Sequence, residues 1–225
     1  MRIKDLFFIF VLMKYNIHTH HPTHSAETLE LVNQDLAKVD LSIPHFSLGI
    51  HPWYIDENVL DEQLAFVETH LNHPNCLAIG ECGLDKKIAV PWAVQEEVFV
   101  KQLLLAEKNK KAVILHVVSA YQEVIALKKK WKITVPLIVH GFNKHQQVAE
   151  SLWKNGFHLS FGSALLKNSR LQETFVAVPQ EFLFLETDDD ATITIADVYA
   201  KAAELRPDII SAVEANFKRI WNKEE

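Results

Sequence analysis

Apolar residues fall along this chain in short unbroken runs separated by stretches of helical spacing. Runs bounded by turn residues or helix starts predict eight strands, the first four at Tyr15–His18, Leu29–Asn33, Phe46–Ile50 and Leu77–Glu81. The other four lie at Ala112–His116, Leu137–His140, Phe157–Phe161 and Phe182–Glu186. Several are continuous rather than alternating, the pattern of parallel strands buried on both faces. Between them, Leu60, Leu64, Val67 and Leu71 recur at helical spacing and predict a helix over Val59–Asn72. Pro91–Lys110 repeats the pattern more strongly, with proline near its start, where helices accept it. Ala120–Trp131, Lys144–Asn155, Ile195–Leu205 and Pro207–Trp221 complete the helices, and Gly156 stands at a C-cap position. This alternation predicts an α/β fold, a (β/α)8 barrel. A parallel crossover usually takes a dozen residues or more. The stretch from His20 to Thr28 is shorter and carries no helical pattern, so the barrel is expected to be distorted, shortened between the first strands.

Length refines this only slightly: 225 residues suit one larger domain, here residues 14–225. Leu6–Met13 is apolar behind Arg2 and Lys4 but far too short to span a membrane. Residues 1–13 therefore read as an N-terminal extension, with export as the second reading. A formal net charge of −6 provides no global basic field for nucleic acid, so any phosphate recognition must be local. Two cysteines, Cys76 and Cys82, make no disulfide framework and suit free thiols in a reducing compartment, hence the cytoplasm.

Candidate chemistry collects where such a barrel puts it, at the C-terminal ends of strands. Asn16-Ile17-His18-Thr19-His20 turns two imidazoles to one face. His51 follows the third strand, Glu81 ends the fourth, His116 the fifth and His140 the sixth. Leu185-Glu186-Thr187-Asp188 follows the eighth. Any one of these residues alone would be an ordinary strand-end polar group; their coincidence at one end of a barrel predicts a metal centre. Four histidines and two carboxylates exceed the needs of one tetrahedral zinc. They suit two divalent ions sharing a carboxylate, about 3.5–4 Å apart. Nitrogen and oxygen donors without thiolate fit zinc, manganese, iron or magnesium. Strand alternation turns Cys82 away from that face.

Taken in order, the His-x-His motif, Gly49-Ile50-His51-Pro52, Ile79-Gly80-Glu81-Cys82-Gly83-Leu84-Asp85, His116, His140-Gly141-Phe142 and Leu185-Glu186-Thr187-Asp188 resemble the TatD-like metal-dependent hydrolases, a branch of the amidohydrolase superfamily. The resemblance runs from about Lys14 to the C-terminus. It implies a distorted TIM barrel and a divalent-metal hydrolase of ester bonds, with deoxyribonucleases among its members. It also implies that one ion takes His18, His20, Glu81 and Asp188, and a second takes Glu81, His116 and His140.

Three departures bear on substrate. Asn16 stands where the family usually has aspartate, Val118 where an arginine is common, and Asp189-Asp190 where Ser-Pro often follows. A lost guanidinium removes a bidentate phosphate clamp. Lys86, Lys87 and Lys144 lie just beyond strand ends; they read first as solvated loop lysines and second as replacements for that clamp. The expected mechanism is a metal-activated water, with Asp188 orienting or deprotonating it. His51 either contacts substrate and the leaving group or makes a structural hydrogen bond; Asp85 orients a ligand from behind. A phosphodiesterase or deoxyribonuclease acting on DNA or an oligonucleotide leads. A hydrolase of a small amide, lactone or phosphoester comes second, and a non-catalytic metal-binding protein third.

Overall fold

The computed structural model describes residues 13–221, so most of the apolar N-terminal extension lies outside the described residues. Each apolar run becomes a parallel strand: β1 (Lys14–Thr19), β2 (Thr28–Gln34), β3 (Phe46–Leu48), β4 (Cys76–Asp85), β5 (Ala112–Val118), β6 (Leu137–Val139), β7 (Phe157–Phe161) and β8 (Leu183–Leu185). They pair in chain order, all parallel. The expected distorted (β/α)8 barrel is the observed fold. Ile17, Leu31, Leu48, Ile79 and Ile114 are fully buried. Each such side chain contributes about 1.5–3 kcal/mol of burial.

Helices cover the barrel from β3 onward: α1 (Leu60–His70), α2 (Trp92–Asn109), α3 (Tyr121–Lys130), α4 (Gln146–Trp153), α5 (Ala164–Lys167), α6 (Ser169–Ala177), α7 (Ile195–Leu205) and α8 (Ile209–Trp221). Neither α5 nor α6 was expected; α6 starts where the Asn168 side chain caps the Leu171 amide. Among the described residues no helix is long and apolar enough to cross a membrane.

The shortening falls on both connections that flank β2. Side chains of β2 hold them in place of helices. The Glu30 carboxylate accepts from the Thr23 amide, the Thr23 hydroxyl and the His24 amide at 2.8–3.1 Å. Gln34 pairs its amide with both backbone groups of Asp40.

The β1–β8 seam explains why the site sits where it does. These strands share one bridge, Thr19 to Asp188, at the C-terminal end. There the His20 amide donates to the Asp188 carbonyl and the Asp188 amide to the His18 carbonyl. Below it, side chains replace the missing ladder. The Tyr199 hydroxyl serves both backbone groups of Tyr15, and Asn216 donates to the Leu183 carbonyl. Asn16 uses its amide like a peptide group, donating to Thr187 Oγ1 at 2.9 Å and accepting from the Thr187 amide at 3.0 Å. Thus the backbone that closes the barrel also carries His18, His20 and Asp188.

Candidate metal centre

β1 ends with His18 and His20 on one side of the mouth, and β4 delivers Glu81 to its middle. The two Glu81 oxygens face different partners. Oε2 lies 3.4 Å from His18 Nε2 and 3.6 Å from His20 Nε2. Oε1 lies 2.7 Å from His140 Nε2, 2.9 Å from His116 Nδ1 and 3.2 Å from His51 Nε2. Asp188 joins the first group, its Oδ1 3.4 Å from His18 Nε2 and 3.7 Å from His20 Nε2. All seven residues singled out from the sequence therefore converge on one cleft.

Those first-group separations are too long for hydrogen bonds but suit co-ligands of one ion. Two donors each about 2.1 Å from zinc in tetrahedral geometry sit roughly 3.4 Å apart. Both ring nitrogens of His18 are buried without a hydrogen-bond partner, as are His140 Nδ1 and Glu186 Oε2. Buried polar atoms are rarely left so. A cation among them satisfies the donor set, so these residues fit divalent metal.

Electrostatics agree. Burial works against a charged Glu81, yet the His140 charge and hydrogen bonds from His116 and His140 hold its carboxyl far below the usual carboxylate range. Burial likewise opposes a charged His140, but the Glu81 carboxylate and Glu186 raise its pKa well above the ordinary histidine value. Asp188 is lowered to about 2, burial being outweighed by His18 and the His140 charge. All three shifts favour the charged form, which makes the carboxylates partners for positive charge.

His51 differs from the other histidines. Its Nδ1 accepts from the Trp53 amide at 3.1 Å, which leaves the hydrogen of the neutral ring on Nε2, aimed at Glu81. A ring held so is a donor rather than a ligand. Asp85 reaches His116 Nε2 at 3.4 Å and is itself fixed by Trp53 Nε1 at 2.8 Å.

The sequence reading missed two positioning residues. Glu186, fully buried, accepts from the Gly141 amide at 2.5 Å and lies 3.8 Å from His140 Nδ1. Asn33 on β2 accepts from the Glu81 amide at 2.7 Å. Glu186 stood inside a recognised motif, but nothing in the sequence marked Asn33.

β4 runs four residues further than expected, because Gly83 admits β5. A Cβ there would lie 1.9 Å from the His116 carbonyl oxygen, and φ is +152°. Gly83→Ala is expected to cost about 3 kcal/mol or more and to displace His116. Thermal unfolding and metal content would show it; a variant matching wild type in both would remove this constraint.

A model of TatD-related DNases matches residues 12–223. The chain belongs to the TatD-related DNase family. It is 33% identical over 147 residues to an uncharacterized metal-dependent hydrolase, YabD, of Bacillus subtilis, covering 63% of this chain and 57% of that protein. It is 30% identical over 175 residues to a 3'-5' ssDNA/RNA exonuclease TatD of Edwardsiella piscicida, covering 74% and 64%. The chain thus spans less than two-thirds of the length of these curated relatives. A crystal structure of a TatD homologue from Escherichia coli superposes with a TM-score of 0.79 at 23% identity, covering 95% of this chain and 100% of that one.

The departures from the TatD pattern now have places. Asn16 is a seam residue. Asp189 binds His21 at 2.7 Å on the cleft rim, whereas Asp190 turns away to Thr192. Lys86 pairs with Glu123 and lies over the Trp92 ring. Among the described residues, the cavity around the cluster is lined by neither lysine nor arginine. Cys82 is fully buried, its thiol pKa raised by burial and by the Glu81 charge.

Proposed function

We propose that the protein is a divalent-metal-dependent hydrolase that cleaves phosphodiester bonds of unpaired DNA or RNA strands. The carrying observation is the division of Glu81, one oxygen toward His18 and His20, the other toward His116 and His140. We assign His18, His20, Glu81 and Asp188 to one ion, and Glu81, His116 and His140 to a second. Zinc, manganese, iron and magnesium remain the candidates. Two divalent ions so held supply a water nucleophile at neutral pH and charge to polarise a phosphoryl oxygen.

The chain's own residues do the rest. Asp188 offers Oδ1 to the His18 side and keeps Oδ2 free, 3.9 Å from His140 Nδ1, to take the proton of an attacking water. The His51 Nε2–H donates a hydrogen bond to a phosphoryl or departing oxygen, where charge develops. Asp85 and Glu186 keep the His116 and His140 rings turned toward the cleft. The name of the Edwardsiella relative supports the nucleic-acid substrate. The free thiols of Cys76 and Cys82 support a cytoplasmic setting.

A second reading, hydrolysis of a small non-nucleic ester or amide, is favoured by one observation. The cleft carries Asp35 and Asp189 and neither lysine nor arginine among the described residues. Incubation with labelled single-stranded DNA separates the two. We expect cleavage with added manganese or magnesium, its loss in EDTA, its return on adding metal, and none with Asp188→Ala. DNA left intact by every metal-loaded sample would defeat the nuclease proposal.

A further inference from the structure

We propose that Trp53 and Tyr54 form a stacking platform for the base of one unpaired nucleotide. This deepens the nuclease proposal and rests on it. The cleft measures about 630 Å³, and both aromatic rings line it beside the histidine cluster. That volume lies within the usual range for a single small ligand.

Two observations point to a nucleobase. First, the cleft offers a polyanion no lysine or arginine among the described residues, while Asp35 and Asp189 add negative charge to its wall. Once the metal ions are set aside, affinity for a nucleotide has to come from its uncharged part.

Second, two large aromatic side chains are held open to solvent in this cleft, Trp53 54% and Tyr54 71% exposed. They are not loose. The turn Pro52–Tyr54 starts on buried Pro52 and is capped by His51. Trp53 is pinned by its Asp85 hydrogen bond and stands edge-on to His51 and His116, with centroids 5.0 and 5.6 Å apart. Tyr54 lies against the same His51 ring at 5.5 Å. A rigid, exposed aromatic pair beside a reactive centre is what base stacking uses, and stacking tolerates any base sequence.

Bases supply the flat π face that such a pair takes up; an aliphatic ester does not.

The test is equilibrium binding, by calorimetry, of dAMP and of 2-deoxyribose 5-phosphate to the metal-loaded full chain. The base is expected to tighten binding about 10-fold or more. Tyr54→Ala should shrink that gap to about twofold, whereas Tyr54→Phe, which keeps the π face, should preserve it. Equal affinity for the two ligands, or a gap that survives both Tyr54→Ala and Trp53→Ala, would overturn the platform. Turnover of labelled single strands is measured in parallel. Base-dependent binding without turnover defeats the nuclease proposal and leaves the platform standing. Turnover with base-independent binding does the reverse.

Discussion

Glu81→Gln is expected to lower metal-dependent hydrolysis by about 10³-fold or more, corresponding to a loss of roughly 4 kcal/mol of stabilisation at the transition state. The amide keeps the shape of the side chain but loses the charge that both histidine groups face. One of its two ends also becomes a donor, turned toward ring nitrogens that need an acceptor or a metal. Metal content measured on purified protein should fall together with activity. Full activity in Glu81→Gln would show that the shared-carboxylate arrangement is not the reactive centre.

The same carboxylate sets a pH dependence in the metal-free protein. Glu81 is held below its ordinary value, so its contribution is present above about pH 4.5 and is lost as pH falls through its folded value. His140 is held above its ordinary value. Its contribution is complete below about pH 6.5 and is lost as pH rises through its own raised value. The pair therefore stabilises the metal-free fold most between those limits. Above them, departing protons leave Glu81 charged among neutral rings, where a divalent ion takes over and binds more tightly as pH rises. Melting temperatures at pH 5.5 and pH 8.5, with EDTA or with metal, check this. We expect the metal-induced gain to be larger at the higher pH.

The ligands were legible in the sequence because parallel strands buried on both faces read as apolar runs, and the first polar residue after each run marks the mouth. His116 after Val113-Ile114-Leu115 is the plainest case. β4 was harder, since Gly83 resembles a turn until the β5 backbone is seen against it. Asn33 and Glu186 act through backbone amides 48 and 45 residues away, a relation no local pattern carries. Asp190 shows the converse. Its amide donates to the Thr187 carbonyl and its carboxylate accepts from Thr192, so two residues beyond Asp188 the chain has already turned from the histidine cluster. Lys86, in the turn after β4, pairs with Glu123 of α3 and does not line the cleft.

Asp188→Asn separates the chemical role of Asp188 from its architectural one. Asp188 sits in the left-handed region at φ +57°, and its amide and carbonyl make the bonds to His18 and His20 that close the barrel. Asparagine tolerates that backbone conformation nearly as well as aspartate, so the seam and the fold should survive. Alanine has no such tolerance and is expected to cost about 1 kcal/mol more in stability, which makes Asp188→Asn the cleaner probe. The asparagine side chain still offers one oxygen toward His18 and His20 but takes up no proton. We expect kcat to fall about 10²- to 10⁴-fold with KM for a single-stranded substrate changed little. Metal content should be partly lost at low metal and restored with excess, while kcat stays low. Recovery of kcat at saturating metal would mean that Asp188 only holds an ion and that the proton leaves by another route, for which Asp189 on the cleft rim is one candidate.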